Sequence, residues 1–280
     1  MTSDPLVVRL SDSVTIIRGD CLDILPTLGK VDAVVTDPPY GSTACKWDAV
    51  IPVAEMWKAV GFVLGETTPV VLFAMQPFTS VLVSSNLAMF KYSWVWDKKL
   101  AANFLAAKRM PLLRTEDVLV FSRGGANNGA RRPMPYYPQM VPREKARRGV
   151  LNRPGNAKNP KYEHLKNDNH PECTVTWDSR YPTNLLEISN ASHQKDESKH
   201  PTQKPVSLME YLIRTYTKEG EIVLDFTMGS GTTGIACIRT GRKFIGIEKD
   251  AGHFATARAR LENELRQGLL PLVHHTNPQP

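Results

Sequence analysis

Short apolar runs alternate along the chain with longer stretches in which apolar and polar residues are mixed. Runs of the first kind are typical of buried strands, and stretches of the second kind are typical of helices with one buried face. The pattern predicts strands at Val14 to Arg18, Val31 to Thr36, Val70 to Ala74, Lys91 to Trp96, Asp117 to Phe121, Glu221 to Asp225 and Lys243 to Ile247. It predicts helices from Cys21, near Val53 to Leu64, at Phe78 to Leu87, Val206 to Thr217, Thr232 to Arg239 and Ala251 to Arg266. This alternation indicates an α/β fold on a mostly parallel, three-layer sheet.

The predicted strand at Val31 to Thr36 runs directly into a proline-rich turn, Asp37-Pro38-Pro39-Tyr40. The prolines stiffen the turn, remove N–H donors and keep Asp37 out of a helix. A carboxylate and a carbonyl in such a frame can accept both hydrogens of an amino group on a planar ring, which frees its lone pair to attack a methyl group. Tyr40 offers a flat face on which a base could stack. A strand that merely ends in a tight turn is an alternative that these four residues leave open.

A second motif follows the predicted strand Glu221 to Asp225, and it is glycine-rich: Phe226-Thr227-Met228-Gly229-Ser230-Gly231-Thr232-Thr233-Gly234. Glycines let the backbone turn sharply and approach a ligand at a helix N-terminus. The next predicted strand leads to Glu248, and an acid there can accept both hydroxyls of a ribose. The same spacing satisfies the NAD-binding fingerprint, so the motif alone does not distinguish NAD from another adenosine-bearing cofactor.

The position of the glycine motif in the chain separates these alternatives. Only about thirty residues follow Glu248, too few to supply the remaining strands of a dinucleotide-binding sheet. The missing strands must come from the N-terminal half, which contains the Asp37 turn. We therefore expect the turn and the glycine loop at the carboxyl ends of neighbouring strands, where open α/β sheets bind ligands.

The two motifs together resemble those of the DNA amino-methyltransferases that use S-adenosylmethionine. Their order, with Asp-Pro-Pro-Tyr first and the glycine loop last, resembles the β group of that family. Related enzymes that methylate glutamine side chains carry Asn-Pro-Pro-Tyr after the glycine loop, so the order and Asp37 both argue against them. Further segments that resemble the family are Ile17 to Cys21, Trp94-x-Trp96-x-Lys98, Arg114-x-Glu116-x-x-Leu119-x-Phe121 and His200 to Pro205. The resemblance covers roughly residues 14 to 122 and 200 to 262.

The resemblance implies a Rossmann-like methyltransferase sheet with an inserted basic recognition region, and it implies a role for individual residues. The catalytic residues would be Asp37, Pro38, Pro39 and Tyr40. The residues that bind S-adenosylmethionine would be Asp20, Cys21, Asp37, His200, Thr202, Lys204, Asp225, Phe226, Thr227, Gly229, Ser230, Gly231, Thr232, Glu248 and Lys249. The chain departs from the family at Phe226, because the family commonly has Asp-Pro-Phe where this chain has Asp-Phe-Thr. The usual packing of that Phe on the cofactor is therefore not carried over to Phe226.

Composition agrees with one sizeable core, since the chain has 280 residues of which 41% are hydrophobic. The four cysteines show no C-x-x-C spacing, so we expect neither a zinc site nor a disulfide framework. Residues 1–5 lack the basic and apolar character of a signal peptide, and the most apolar stretch, Val60 to Val83, is broken by Glu66 and Pro69. We expect a cytoplasmic protein of bacterial or phage origin that does not enter a membrane.

Positive charge is concentrated between Arg123 and His170, a segment that contains eleven Lys or Arg residues and three acidic residues. The net charge of this segment is +8 and that of the whole chain is +7, so the rest of the chain has a net charge of −1 and is close to neutral. A solvated linker is one interpretation; a target-recognition insert that contacts phosphates is the other, and its place between the two motifs favours it. The residues expected to contact DNA are Arg131, Arg132, Arg143, Lys145, Arg147 and Arg148.

These observations divide the chain into a catalytic half at 1–122, the basic insert at 123–199, a cofactor-binding half at 200–266 and a C-terminal tail at 267–280. The leading hypothesis is a site-specific methyltransferase that acts on adenine N6 in double-stranded DNA after the base has left the helix. Cytosine N4 is the runner-up: in the family that the chain resembles, a Ser in place of Asp37 leans towards cytosine, so Asp37 leans towards adenine. A non-catalytic DNA-binding platform is the third alternative. The resemblance also allows a homodimer and a cognate restriction enzyme as partners.

Overall fold

A computed structural model of the chain describes residues 5–41, 50–151, 173–190 and 203–269. The chain divides into two compact units, one formed by Met1–Tyr137 with Asn184–Pro280 and the other by Pro138–Thr183. The smaller unit lies within the segment expected to be the basic insert, whereas residues 123–137 and 184–190 belong to the larger unit. In the described part of the chain, every helix is too short or too polar to cross a membrane.

The larger unit is an alternating α/β structure. Its strands are β1 (Leu6–Arg9), β2 (Val14–Arg18), β3 (Ala33–Thr36), β4 (Val70–Ala74), β5 (Phe90–Ala102), β6 (Leu113–Phe121), β9 (Leu185–Glu187), β10 (Ile222–Asp225) and β11 (Lys243–Glu248). Its α-helices are α1 (Cys21–Ile24), α2 (Val53–Val63), α3 (Phe78–Ser85), α4 (Val206–Tyr216), α5 (Thr232–Arg239) and α6 (Ala251–Leu269). The strands β7 (Val141–Leu151) and β8 (Cys173–Arg180) form the smaller unit.

The nine strands of the larger unit form one sheet in the order β1-β2-β11-β10-β3-β4-β6-β5-β9. Neighbours from β2 to β4 pair in parallel, while β1 and β6 run antiparallel to the strands beside them. The strands β10 and β11, late in the chain, are therefore inserted between the early strands β2 and β3. This order confirms the mostly parallel sheet, and it brings the ends of β3 and β10 together as the order of the two motifs required.

Both faces of the sheet are covered, because successive side chains of a strand point in opposite directions. In β3, Val35 packs in one hydrophobic core with Leu212 of α4, and Val34 packs in the other core with Val60 of α2. Each of these four side chains is fully buried. Two cores on one sheet give the three layers predicted from the alternation of strands and helices.

Most predicted elements match within a residue or two, and the differences lie where apolar patterning is weak. The strands β5 and β6 extend beyond the predicted strands, because they continue as an antiparallel hairpin in which Asp97 pairs with Thr115 and Ala102 with Leu113. Charged and small residues in this stretch hide the strand from a search for apolar runs. The strands β1 and β9 were not predicted, since they lie at the two edges of the sheet and are mostly exposed.

The smaller unit is an antiparallel pair of strands within the basic insert. Val141 pairs with Arg180 and Leu151 with Cys173, and the register shifts between Pro142 and Arg147. These strands have no counterpart among the predicted elements, because Pro, Gly and basic residues mask any alternation of apolar and polar positions.

Candidate active site

The turn after β3 places the first predicted motif at the carboxyl edge of the sheet. Thr36, the last residue of β3, is fully buried, and Asp37 keeps 31% of its side chain exposed. The hydroxyl of Tyr40 donates a hydrogen bond to Oδ1 of Asp37. The Tyr40 ring lies against Phe78, with the ring centres 5.6 Å apart and the planes tilted by 34°. Tyr40 is therefore both a partner of the carboxylate and part of an aromatic wall.

The other carboxylate oxygen of Asp37 has a basic partner from a distant part of the chain. The ammonium of Lys204, just before α4, is 2.8 Å from Asp37 Oδ2 and 3.0 Å from Oε2 of Glu116 in β6. Oε1 of Glu116 accepts a hydrogen bond at 2.9 Å from the ammonium of Lys98 in β5. Acid and base therefore alternate along four side chains from β5 to the turn after β3.

Burial raises the pKa of Asp37, and the Lys204 ammonium opposes that rise while the charge of Glu116 adds to it. For Lys204, burial acts to lower the pKa, but the carboxylates of Asp37 and Glu116 outweigh it and the pKa is raised. Burial also acts to raise the pKa of Glu116, yet the two lysines hold it below its usual range. Lys204 and Glu116 are therefore both charged at neutral pH, and each depends on its neighbours.

The glycine loop begins at Asp225, the buried last residue of β10. Its carboxylate accepts hydrogen bonds from the hydroxyls of Thr36 at 2.6 Å and Thr233 at 2.5 Å, and from the Thr227 N–H at 3.1 Å. Burial raises the pKa of Asp225 to about 6 in spite of these donors. The Thr227 hydroxyl donates to the carbonyl oxygen of Asp37 at 3.2 Å. Hydrogen bonds thus tie the glycine loop to the turn that carries Asp37.

The far side of the loop is held by the acid at the end of β11. Oε2 of Glu248 accepts the N–H of Gly229 at 2.9 Å, and Oε1 accepts the N–H of Asp250 at 2.8 Å. Burial raises the pKa of Glu248. Gly229 has a φ of +52°, and a Cβ built there would meet no atom within 4 Å. The loop is therefore open beside Gly229, as a close approach of a ligand to its backbone requires.

A third acid stands at the end of β2. Asp20 caps α1 by accepting the Leu22 N–H at 3.0 Å, and it pairs with the Lys249 ammonium at 2.8 Å. Burial acts to raise the pKa of Asp20, but these two partners outweigh it and the pKa is lowered. Burial raises the pKa of the neighbouring Cys21 to about 12, so this thiol stays protonated and can offer only its surface to a ligand.

A cavity of about 590 Å³ joins these strand ends. Its lining includes the predicted residues Asp20, Cys21, Asp37, Pro39, Lys204, Asp225, Phe226, Thr227, Gly229, Ser230, Thr232, Glu248 and Lys249. Pro38, Tyr40 and Gly231 lie beside the cavity and do not line it. His200 and Thr202 lie outside the described residues. The volume is within the range of cofactor sites, and the carboxylates in the lining suit a ligand with hydroxyl and amino groups.

Phe226 is almost fully buried in the core beneath the cavity and also forms part of its lining. Lining residues that were not among those predicted to bind the cofactor are Gly19, Ile51, Gln203, Met209, Met228, Thr233, Asp250, Ala251 and His253. Most of them lie within the quoted segments or a few residues beyond them, so taking each segment whole and extending it slightly would have found them. Lys98 and Glu116 stand in segments that resemble the family, but nothing in the sequence paired them with Lys204.

The basic residues expected to contact DNA fall in both units. Arg131 and Arg132 are exposed on the larger unit, where Arg132 pairs with Glu66 at 2.7 Å. In the smaller unit, Nε of Arg143 donates to the carbonyl oxygen of Ser179 at 2.9 Å, and Lys145 is exposed. Arg147 and Arg148 pair through their backbones with Trp177 and Thr176 in the β7–β8 ladder, and their side chains lie outside the described structure.

Comparison with known proteins gives one family and several relatives. The model of the DNA methylase family N6_N4_Mtase matches residues 31–259. Type II methyltransferase M2.DpnII of Streptococcus pneumoniae is 51% identical over 71 residues, which are 25% of this chain and 26% of that protein. Type II methyltransferase M.HpaI of Haemophilus parainfluenzae is 39% identical over 84 residues, 30% of this chain and 27% of that protein. The chain thus spans about a quarter of the length of these curated relatives.

Solved structures match over a larger share of the chain. The structure of the M1.HpyAVI–SAM complex is 27% identical, with a TM-score of 0.56, over 89% of this chain and 100% of that one. PvuII DNA methyltransferase, described as cytosine-N4-specific, has a TM-score of 0.60 over 92% of this chain and 91% of its own, but is only 17% identical and shows the fold alone.

The family model spans more than half of the chain, including both the Asp37 turn and the glycine loop up to Glu248. The turn precedes the loop in sequence, and the two lie at neighbouring strand ends. The chain therefore belongs to the DNA methylase family, as a DNA amino-methyltransferase of the β group.

Proposed function

We propose that this chain transfers a methyl group from S-adenosylmethionine to the N6 amino group of adenine in double-stranded DNA. The observation that carries the proposal is the position of Asp37. Its carboxylate stands at the wall of the cavity, and its backbone carbonyl is hydrogen-bonded to Thr227 of the glycine loop. The acceptor for an amino group and the loop for a methyl donor are thus parts of one hydrogen-bonded unit.

The cavity fits S-adenosylmethionine, the cofactor of this family. Glu248 would accept the ribose hydroxyls, since its carboxylate ends a strand beside the glycine loop. Asp20 would accept the adenine amino group, and the open side of Gly229 would admit the ligand close to the loop backbone. When bound, the cofactor supplies an electrophilic methyl group on a sulfonium. Each of these protein groups is already fixed by hydrogen bonds, so little reorganisation is needed on binding.

The residues of this chain then act on the nitrogen that receives the methyl group. The exocyclic amino nitrogen is a weak nucleophile, because its lone pair is delocalised into the ring. Asp37 would accept one N–H with its carboxylate, and a backbone carbonyl of the Pro38–Pro39 step would accept the other. Two acceptors pull the nitrogen towards a tetrahedral geometry and free the lone pair. Tyr40 would leave Oδ1 of Asp37 and present its ring to the base.

Adenine is favoured over cytosine because the motif begins with Asp37. In the resemblance on which this rests, Ser at that position leans towards cytosine N4. A carboxylate is a stronger acceptor than a hydroxyl, so it polarises an amino group more strongly. Cytosine N4 methylation remains the second candidate function, since the same acceptors would serve that amino group.

The basic insert is proposed as the part that contacts the DNA backbone. Exposed Lys145 and the neighbouring arginines of β7 are suited to phosphates, which bind such side chains without regard to base sequence. Double-stranded DNA as the substrate requires the target base to leave the helix, at a cost of a few kcal/mol. A non-catalytic DNA-binding platform would have no use for the paired acceptors at Asp37.

One experiment tests the function directly. DNA from cells that express the chain is digested to nucleosides and compared with DNA from cells that express Asp37→Ala. N6-methyladenine that appears only with the parent chain supports the proposal, and sequencing of the modified positions gives the recognition site. N4-methylcytosine in its place would instead support the second candidate function, cytosine N4 methylation. Unmodified DNA from both cultures, with folded protein present, would favour the non-catalytic platform.

A further inference from the structure

Four side chains of alternating charge run from β5 to the turn after β3: Lys98, Glu116, Lys204 and Asp37. The successive nitrogen-to-oxygen distances are 2.9, 3.0 and 2.8 Å. The side chains of Lys98, Glu116 and Lys204 are each only 10% exposed, whereas Asp37 is 31% exposed and faces the cavity. Lys204 also lines the cavity, but Asp37 is the most exposed of the four side chains and offers its carboxylate to a substrate.

The Lys204 ammonium is enclosed by aromatic rings as well as by carboxylates. It lies 5.0 Å from the ring centre of Phe73, 5.8 Å from that of Tyr40 and 5.9 Å from that of Trp96. A buried ion is tolerated only when charged partners and hydrogen bonds replace its hydration shell. Because the Lys204 side chain is only 10% exposed, its contacts with Asp37 and Glu116 fix where the ammonium sits.

We propose that Glu116, backed by Lys98, is a positioning residue that holds the Lys204 ammonium against Asp37, and that Lys204 in turn keeps the Asp37 carboxylate charged and aimed at the target amino group. This inference rests on the proposed function, which it deepens. It assigns Lys204 to the acceptor carboxylate, whereas the sequence motif alone associated this lysine with the cofactor.

The chemistry of the transfer shows why the charge state of Asp37 matters. The nitrogen lone pair forms the new N–C bond, the C–S bond breaks, and its electron pair stays on sulfur. The nitrogen carries a positive charge until one N–H proton leaves, and the Asp37 carboxylate can take that proton and pass it to water. A protonated Asp37 could do neither task, since it is a weaker acceptor and already holds a proton.

In the described part of the chain, the charged and titratable groups that face Asp37 are Lys204 before α4, Tyr40 in its own turn, Glu116 in β6 and Asp225 in β10. Lys204 is the cation among them, and burial and the two acids all favour the protonated carboxyl. Loss of the Lys204 charge should therefore raise the pKa of Asp37. Since an opposite charge within a few ångströms shifts a carboxyl by about one to three pH units, the effect is large enough to measure.

The first test measures the single-turnover rate of methyl transfer against pH for the parent and for Lys204→Met, together with the affinity of each for S-adenosylmethionine. We expect the acid limb of the rate profile to move up by about one to three pH units in the variant, with cofactor affinity within about threefold of the parent. Lys99→Met is the matched control, because the next lysine of β5 pairs with Glu187 and Asp97 and lies outside the charged chain.

The second test asks whether Glu116 acts through Lys204. Glu116→Gln should slow single-turnover methyl transfer about tenfold when Lys204 is present, which corresponds to a typical interaction energy between contacting residues. The same substitution should change the rate little when Lys204 has been replaced by Met. An equal loss in both backgrounds would mean that Glu116 has a merely structural role, and would overturn this part of the proposal.

Two further outcomes have a definite meaning. An unmoved acid limb in Lys204→Met with weakened cofactor binding would assign Lys204 to the cofactor and overturn the proposal, while leaving the proposed function intact. No transfer by the parent chain to any DNA, with S-adenosylmethionine bound, would overturn the proposed function and the inference together. Measured cofactor binding also shows that each variant is folded, so a slow variant is never mistaken for a misfolded one.

Discussion

The carboxylate of Glu248 accepts the backbone N–H of Gly229 at a distance of 2.9 Å. A side chain at the end of one strand thus fixes the position of the glycine loop that follows the next strand in the sheet. The same carboxylate is the group proposed to accept the ribose hydroxyls. It shapes the loop and, in the proposed site, would also contact the ligand, so its replacement should affect both.

Glu248→Ala should weaken binding of S-adenosylmethionine by about 10- to 100-fold, because hydrogen bonds to a charged acceptor are typically worth about 1.5–3 kcal/mol. Titration calorimetry on the DNA-free protein measures the change. Glu55→Gln serves as the control, since Glu55 is exposed on α2 and outside the cavity. Equal affinities of Glu248→Ala and the parent would remove Glu248 from the cofactor site, and a preference of the parent for NAD would contradict the cofactor itself.

Asp37→Ala should lower the single-turnover rate of methyl transfer by about 10²- to 10³-fold, because groups that stabilise developing charge are typically worth that much. Cofactor affinity should change little, since Asp20, Glu248 and the glycine loop are untouched. A tritiated methyl donor and a DNA duplex provide the measurement. Asp12→Asn, on the exposed turn after β1, is the control, and a rate near that of the parent in Asp37→Ala would contradict the catalytic role.

Gly231→Val should abolish cofactor binding through the loop backbone. Gly231 has a φ of +82°, and a Cβ there would lie 3.1 Å from Cβ of Ala257 in α6. The added side chain therefore collides with α6, rather than with the ligand, and displaces the loop. Gly220→Val is a matched control, since Gly220 has a φ of +80° but open space around it and no part in the cavity.

Both glycine variants should lose stability from backbone strain, and only Gly231→Val should lose the cofactor. Thermal unfolding with and without S-adenosylmethionine separates the two effects, because bound ligand raises the melting temperature. A ligand-induced rise in Gly231→Val equal to that of the parent would show that α6 does not fix the loop.

The salt dependence of DNA binding should report on the basic insert. Replacement of Arg143, Lys145, Arg147 and Arg148 by Gln should reduce the slope of log affinity against log salt by about 0.9 for each phosphate that the variant no longer neutralises. Affinity should fall alike for every DNA sequence, and cofactor affinity should not move. A control with the same change of charge replaces Lys30, Lys58, Arg258 and Arg266. An unchanged slope in the insert variant would identify the cluster as a solvated linker.

Stability should depend on pH through Asp225, whose pKa is raised by burial from an ordinary 3.8 to about 6. The folded state holds this proton more tightly than the unfolded state, so ionisation costs stability as the pH rises from about 4 to about 6. The parent should therefore gain stability relative to Asp225→Asn when the pH falls from 7 to 4, by up to about 3 kcal/mol. Urea unfolding at both pH values measures this, and a pH-independent difference would contradict it.

Much of the fold was predictable, because the strands that carry the site are mostly apolar and end at or near Pro, Gly or acidic residues. The strand at Val70–Ala74 and the helix at Thr232–Arg239 were placed to the residue for this reason. The neighbourhood of the two motifs followed from their order in the chain, since a late glycine loop needs early strands beside it. Apolar patterning and topology were sufficient for these features.

The partners of the site residues were not predictable, because they depend on packing between distant segments. Lys204 contacts Glu116 only when β6 and the start of α4 are both in place, and neither segment has a sequence pattern that predicts contact with the other. For the same reason, the sequence placed Gly231 among the cofactor-binding residues but did not indicate that a Cβ there would meet Ala257 of α6. The spacing of residues in a motif predicts which residues form a ligand site, whereas the tertiary structure determines which other residues contact them.

The strand order also has a consequence for biosynthesis. Strands β2 and β3 are made early and close together, but β11 and β10 separate them in the finished sheet. Until those late strands leave the ribosome, β3 has an unpaired edge, and such edges invite pairing with other chains. Pairing across so long a stretch of chain is intrinsically slow. The methyl-donor site is thus completed only after synthesis has passed Glu248, and a nascent chain that carries the Asp37 turn has no loop with which to act.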